Sequence, residues 1–183
     1  MTSRKNPWKT LDEKAIYDNS WISVSEHQVI NPSGNPGIYG KVSFKNIAIG
    51  IIPIDENGFT WLVGQHRYTL DLWSWEIPMG GGPLDGDPLQ SAQRELLEET
   101  GLSATNWERI LDTHISNSIT DEAGIVYVAT DLTEGTPDFD DTEDIEIQRL
   151  PFTDVVRMAR TGKITDVLSI AGILQYAAMQ NDS

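Results

Sequence analysis

Residues 46–54, NIAIGIIPI, are almost wholly apolar. A run this short and this rich in isoleucine reads as a strand buried on both faces, since a strand with one wet face would alternate. Such a strand needs a covering layer on each side. The chain is long enough to supply both. For 183 residues, surface scaling leaves about 8,800 Å² exposed out of about 29,600 Å² unfolded, so about 70% is buried. One domain with a short extension is expected.

Around that strand, strand and helix signals mix. Residues 21–30 alternate loosely through Ile22 and Val24, as a half-buried strand would. Residues 31–37 (NPSGNPG) are a dense turn cluster, and a second strand is expected over 42–44. Asn57-Gly58 lies between 46–54 and 59–63, which is a hairpin signal. Residues 73–78 read as a short strand and 80–87 as a Gly/Pro/Asp loop. A helix follows. Asp87 suits its N-cap, Pro88 its first position, Gln90 completes a capping-box-like pattern, and Gly101 ends it. Residues 124–129 and 145–150 read as strands around an acidic loop, 131–144. Two helices close the chain over 153–160 and 166–179, with Gly162 stopping the first. Residues 1–18 are polar and read as peripheral. The mixture points to an α/β or α+β sandwich.

Thirteen basic residues against 28 acidic ones leave a net charge of −15. That balance argues against a duplex nucleic-acid partner, which needs a basic footprint, and against an anionic membrane surface. A phosphorylated substrate stays open, provided metal ions neutralise the site. With no cysteine, zinc thiolates, disulfides and thiol nucleophiles are all excluded. The first eighteen residues hold no apolar leader core, and no run of eighteen apolar residues occurs, so a cytoplasmic location is expected.

The helix over 88–100 carries the chemistry. Glu95, Glu98 and Glu99 fall within about a 100° arc of one face. Glu95 and Glu99 are a like-charged i,i+4 pair, and all three sit where the helix dipole is already negative. Arg94 is the one cation of the segment. A solvated face is one reading of such a run. A hard divalent cation held by carboxylate oxygens is the other, since the ion would offset the repulsion.

The stretch GGGPLDGDPLQSAQRELLEETGL, residues 80–102, decides between them. It resembles the Nudix box: a glycine, five residues, a glutamate, seven residues, then REUxEExGU with U aliphatic. Gly80 fills the first glycine, and Arg94, Glu95, Leu96, Glu98, Glu99, Gly101 and Leu102 fill the second half. Chance agreement at these eight positions is on the order of one in a hundred million per window from average residue usage. The first glutamate of the pattern falls on Gly86, flanked by Asp85 and Asp87 out of register. Restoring Glu at 86 is expected to raise activity if that carboxylate matters. Two further stretches, Gln65-His66-Arg67-Tyr68 and Trp75-Glu76-Ile77-Pro78-Met79-Gly80, resemble the strands before the box in bacterial hydrolases of ADP-ribose and nucleoside diphosphate sugars.

The resemblance implies a Nudix α/β/α sandwich with a mixed sheet. It implies an N-terminal extension over 1–45, whose strands join a homodimer, and a hydrolase domain over 46–183. The implied reaction is Mg²⁺-dependent (Mn²⁺ being possible) hydrolysis of the pyrophosphate in a nucleoside diphosphate sugar. ADP-ribose, giving AMP and ribose 5-phosphate, is the leading substrate. A nucleoside diphosphate hexose is the rival, and a degenerate domain that only binds a nucleotide sugar is the alternative of another class. An Asp-x-Lys often opens the last helix in the group. Here the residues are Asp166-Val167-Leu168, so the lysine is missing.

By the same resemblance Glu95 and Glu99 ligate metal, Glu98 ligates it or acts as base on a bound water, and the backbone carbonyl of Met79 completes the set. Gly80 lets backbone approach, and Arg94 orients the glutamates. Arg67 clamps a phosphate or forms an ion pair; Glu76 contacts substrate or forms a strand-end salt bridge. Trp21 stacks on the nucleobase or sits in the core. Glu143 is the leading water-activating carboxylate of the late loop, with Asp141, Asp144 and Glu146 as alternatives.

Overall fold

A computed structural model describes residues 5–136 and 144–181. The chain divides into two compact units, Met1–Asn46 with His114–Glu122, and Ile47–Thr113 with Ala123–Ser183.

In the first unit, β1 (Lys9–Asp18), β2 (Ile22–Ile30) and β3 (Pro36–Phe44) make an antiparallel sheet in the order β1-β2-β3. The turn cluster works as read. Asn31 Oδ1 accepts from the Ser33 and Asn35 N–H groups, and Gly34 takes φ +87°. β3 nevertheless begins inside that cluster, at Pro36, six residues before the expected strand. The polarity of residues 1–18 predicts no more than a peripheral segment, yet β1 forms there. It is exposed along its whole length and owes its form to backbone pairing with β2, which leaves no hydrophobic period to find. Residues 114–122 join this unit: the Val42 N–H donates to Ile119 O, and Lys41 pairs with Asp121 at 2.8 Å.

The second unit holds the remaining elements. They are β4 (Asn46–Pro53), β5 (Phe59–Arg67), β6 (Leu72–Glu76), β7 (Met79–Pro83), α1 (Pro88–Thr100), β8 (Leu102–His114), β9 (Ala123–Glu134), β10 (Glu146–Pro151), α2 (Phe152–Arg160) and α3 (Val167–Asn181). β4 sits inside a four-stranded sheet of order β7-β4-β9-β8 and runs parallel to β9. Its alternate side chains go to opposite faces, and both faces are covered. Ile49 and Ile51 pack with Trp61, Ala92 and Leu96, the last two on α1. Ile52 packs with Val155 of α2 and with Leu168 and Ile173 of α3. The expected α/β/α sandwich is therefore present.

Three local readings change. Asn57-Gly58 is a turn, with Gly58 at φ +76° and its N–H donating to Asp55 O, but the strands it joins do not form a hairpin. β5 belongs to a separate sheet, β10-β5-β6. The glycine-rich stretch begins as strand β7 rather than loop, because it pairs with the buried β4. β8, thirteen residues long, had no counterpart in the sequence reading. It is an edge strand with mixed polarity and no clean period.

Candidate active site

α1 forms for the reasons read from sequence. The Asp87 side chain accepts from the Leu89 N–H at 3.0 Å, Pro88 opens the first turn, and Gly101 takes the left-handed conformation at φ 72° while its N–H caps Leu97 O. The buried face of the helix carries Ser91, Ala92, Glu95, Leu96, Glu99 and Thr100. Two of the three carboxylates are thus turned inward. Glu99 is only 2% exposed, and Glu98 stands at the rim. Burying a carboxylate is costly unless hydrogen bonds or charge meet it.

Those partners come from β7 and from Arg94. The Met79 N–H donates to Glu99 Oε2 at 2.9 Å. Arg94 forks between Glu95 and Glu98, and donates through Nη2 to Gly81 O at 3.1 Å. It therefore joins the acidic face of the helix to the glycine strand. Burial would lower the Arg94 pKa; Glu95 and Glu98 outweigh that and raise it. At Gly80 a Cβ would land on the Glu95 carboxylate, so the backbone and that carboxylate lie in direct contact. At Gly82 a Cβ would stand 2.7 Å from both Ile49 Cδ1 and Ser91 Oγ. Each glycine lets β7 press against α1.

Among the described residues, no three His, Asp or Glu side chains form a ready-made metal cage. The donor set nonetheless fits a hard divalent cation in kind. It is all oxygen, rich in carboxylate, partly buried, and backed by a backbone that leaves the carboxylates room.

Arg67 and Glu76 meet each other. The guanidinium donates through Nε to Glu76 Oε1 at 2.9 Å and through Nη2 to Oε2. Glu76 is 3% exposed. The Glu76 hydrogen bond is the largest influence on Arg67 and raises its pKa against the opposing effect of burial; Asp166 and Glu99 add to the rise. Of the paired alternatives in the sequence, the mutual ion pair is what these two side chains make. Trp21 is 68% exposed, so its core alternative is overturned. It sits in the turn before β2, where its N–H and that of Ile22 both donate to Asn19 Oδ1. Glu143 and Asp141 lie outside the described residues.

Sequence reasoning missed Ser169. This residue of α3 accepts from the Ile77 N–H at 3.1 Å, across 92 positions of chain. A serine in an apolar helix carries no local signal of such a partner.

The layered α/β unit holds a glycine strand against the acidic face of a helix, an all-oxygen site of the kind that takes a hard divalent cation. Residues 44–168 match the NUDIX domain, and residues 8–42 match the nucleoside diphosphate sugar hydrolase N-terminal domain. The chain belongs to the Nudix family of hydrolases. It is 30% identical over 179 residues to an ADP-ribose pyrophosphatase of Mycobacterium tuberculosis (strain ATCC 25618 / H37Rv), covering 96% of this chain and 86% of that one. It is 29% identical over 171 residues to a CMP-5'-(N-acetyl-N-hydroxy-3-aminopropyl)phosphonate hydrolase of Streptomyces rubellomurinus (strain ATCC 31215), covering 91% and 81%. A crystal structure of an ADP compounds hydrolase shares the fold with a TM-score of 0.87 at 15% identity, covering 99% of this chain and 98% of that one. Nudix hydrolases generally use divalent metal ions. Among the described residues, no helix is long and apolar enough to cross a membrane.

Proposed function

We propose that the chain hydrolyses the pyrophosphate of a nucleoside diphosphate sugar with Mg²⁺ (or Mn²⁺), and that ADP-ribose is its first substrate, giving AMP and ribose 5-phosphate. The observation that carries this reading is the acidic face of α1, with Glu95 and Glu99 turned in against the backbone of Met79 and Gly80. Glu95, Glu98, Glu99 and the Met79 carbonyl would hold the cation, which supplies charge neutralisation at the pyrophosphate.

The rest falls to the protein. A water oxygen bonds to one phosphorus, and the bond from that phosphorus to the bridging oxygen breaks. The water proton passes to a carboxylate. Glu98, the most exposed of the three acids, suits that task, and Glu143 of the late loop is the second base of this reading. Arg94 keeps Glu95 and Glu98 aligned. Arg67 reaches a phosphate by loosening its fork with Glu76, and Glu76 then contacts substrate. Trp21, already exposed, stacks on the nucleobase.

Residues 1–45 act as the dimerisation extension of a 46–183 hydrolase domain. The exposed Leu11, Ile16, Tyr17 and Ile38 on β1 and β3 support a homodimer. Nucleic acid and membrane are not partners in this reading, which the charge of −15 supports. A cytoplasmic location is part of the same reading.

A second reading rests on Gly86. The box glutamate is missing there, and a Cβ would stand 2.7 Å from Pro83 Cγ; on this reading the domain binds a nucleotide sugar without turning it over. One experiment separates these readings. The purified protein is incubated with ADP-ribose and several nucleoside diphosphate hexoses, with and without Mg²⁺, and the products are separated by chromatography. AMP from ADP-ribose only with metal supports the proposal. A preference for a hexose overturns the substrate, and no product from any of them favours the binding module.

A further inference from the structure

The backbone of residues 77–79 leads into the acidic face of α1, and three elements hold it. The Ile77 N–H donates to Ser169 Oγ on α3 at 3.1 Å. The Pro78 carbonyl accepts from the Ile51 N–H of β4 at 2.8 Å. The Met79 N–H donates to Glu99 Oε2 on α1 at 2.9 Å. Proline between the two donors fixes φ and brings no N–H of its own, so the segment has little slack. A shift at Ile77 is passed on to Met79.

Ser169 is itself held firmly. It has no exposed surface, and its N–H donates to Asp166 Oδ2 at 2.7 Å where α3 begins. The hydroxyl is therefore presented to Ile77 from a capped helix end in the core. Without it, the Ile77 N–H, on a residue 1% exposed, is left without that acceptor or must move to find another.

We propose that Ser169 is a positioning residue for the acidic site. Through Ile77, Pro78 and Met79 it sets where the Met79 backbone stands against Glu99. The inference rests on the reading that Met79 and Glu99 face a divalent cation. Groups that orient ligands from outside typically change metal affinity by about 10–100-fold when removed. A serine that merely packs would change stability alone.

Ser169→Ala in the full chain tests this with Mn²⁺ as the probe. Mn²⁺ affinity is read by titration calorimetry, and Met79 amide exchange by NMR in the metal-free protein. Val155→Ala, a truncation of a fully buried side chain on α2, controls for lost stability. The expected result is Mn²⁺ affinity down about tenfold and Met79 exchange faster than the lost stability explains, with Val155→Ala changing neither beyond its stability cost. If Ser169→Ala does not fold, Asp166→Ala loosens Ser169 from the half-exposed side and should shift both readouts the same way, more weakly. Unchanged Mn²⁺ affinity and unchanged Met79 exchange in a destabilised Ser169→Ala would overturn the proposal. Should the wild-type chain bind no Mn²⁺, the cation reading fails by itself, and Met79 exchange alone still decides the role of Ser169.

Discussion

Gly80→Ala separates the site from the fold more cleanly than any carboxylate change. Gly80 is not among the glycines with positive φ, so alanine can take its backbone conformation. The whole effect is steric: the new Cβ falls on the Glu95 carboxylate. That carboxylate is the end of a flexible side chain, so it turns away rather than breaking the core. Turning away costs its hydrogen bond to Arg94. A hydrogen bond to a charged group is worth about 1.5–3 kcal/mol. Arg94 is half exposed and keeps Glu98 and Gly81 O, but Glu95 is buried, so the loss falls at the lower end of that range, about 1.5 kcal/mol. Alanine in place of glycine returns about 0.4–1 kcal/mol by restricting the unfolded chain. The two partly cancel. Urea unfolding should therefore place Gly80→Ala within about 1 kcal/mol of wild type. The rate should fall about a hundredfold, because moving a group that holds the cation displaces the reacting centre, and a misplacement of about an ångström costs that much. Gly37→Ala, where a Cβ meets nothing within 4 Å, should leave the rate unchanged. Full activity in Gly80→Ala would refute the placement of Glu95 at the reacting centre. A stability loss above about 3 kcal/mol would refute the claim that the carboxylate simply yields.

Three other outcomes are expected. Glu99→Gln keeps an oxygen for the Met79 N–H but loses the charge. Mg²⁺-dependent turnover should fall at least about a hundredfold, a barrier change of about 2.7 kcal/mol, while circular dichroism stays that of the wild type. Gly86→Glu should bring no gain in rate, contrary to the expectation from the box pattern. Its Cβ would press on Pro83 Cγ at 2.7 Å in the turn closed by Gly86 N–H to Pro83 O, and a faster enzyme would show that this turn yields freely. For Asp55, burial pushes the pKa up, but hydrogen bonds from the Phe59 N–H, Arg149 and the Asn57 N–H outweigh it and hold the carboxyl below 3.8. A depressed carboxyl contributes stability above its unfolded pKa and loses it as pH falls through the folded one. Asp55→Asn should flatten the acid limb of the stability profile below about pH 4, read by denaturant midpoints across pH; an unchanged limb would count against it.

Much of the site was legible because its determinants are local. The spacing of Glu95, Glu98 and Glu99, the cap at Asp87 and the stop at Gly101 are set within one helix by its period and its ends. β4 announced itself by composition, because a strand covered on both faces has no need of polar residues. The edge strands β1 and β8 could not be read this way. An edge strand has one partner and an open face, so its backbone pairs while its side chains carry no period. The turn at Asn57-Gly58 was correctly seen as a turn, but a turn does not state which sheet receives the next strand.

The sequence by itself determined the helix, the order of its acids and the double-sided central strand, since those follow from dihedral preference and periodicity over a few residues. Only the tertiary structure decided that Arg67 and Glu76 hold each other, that Glu95 and Glu99 face inward against Gly80 and Met79, and that Ser169 reaches Ile77 across 92 positions. Each of those depends on which buried polar group lacks a partner after the layers close, and that requirement exists only once distant segments share one interior.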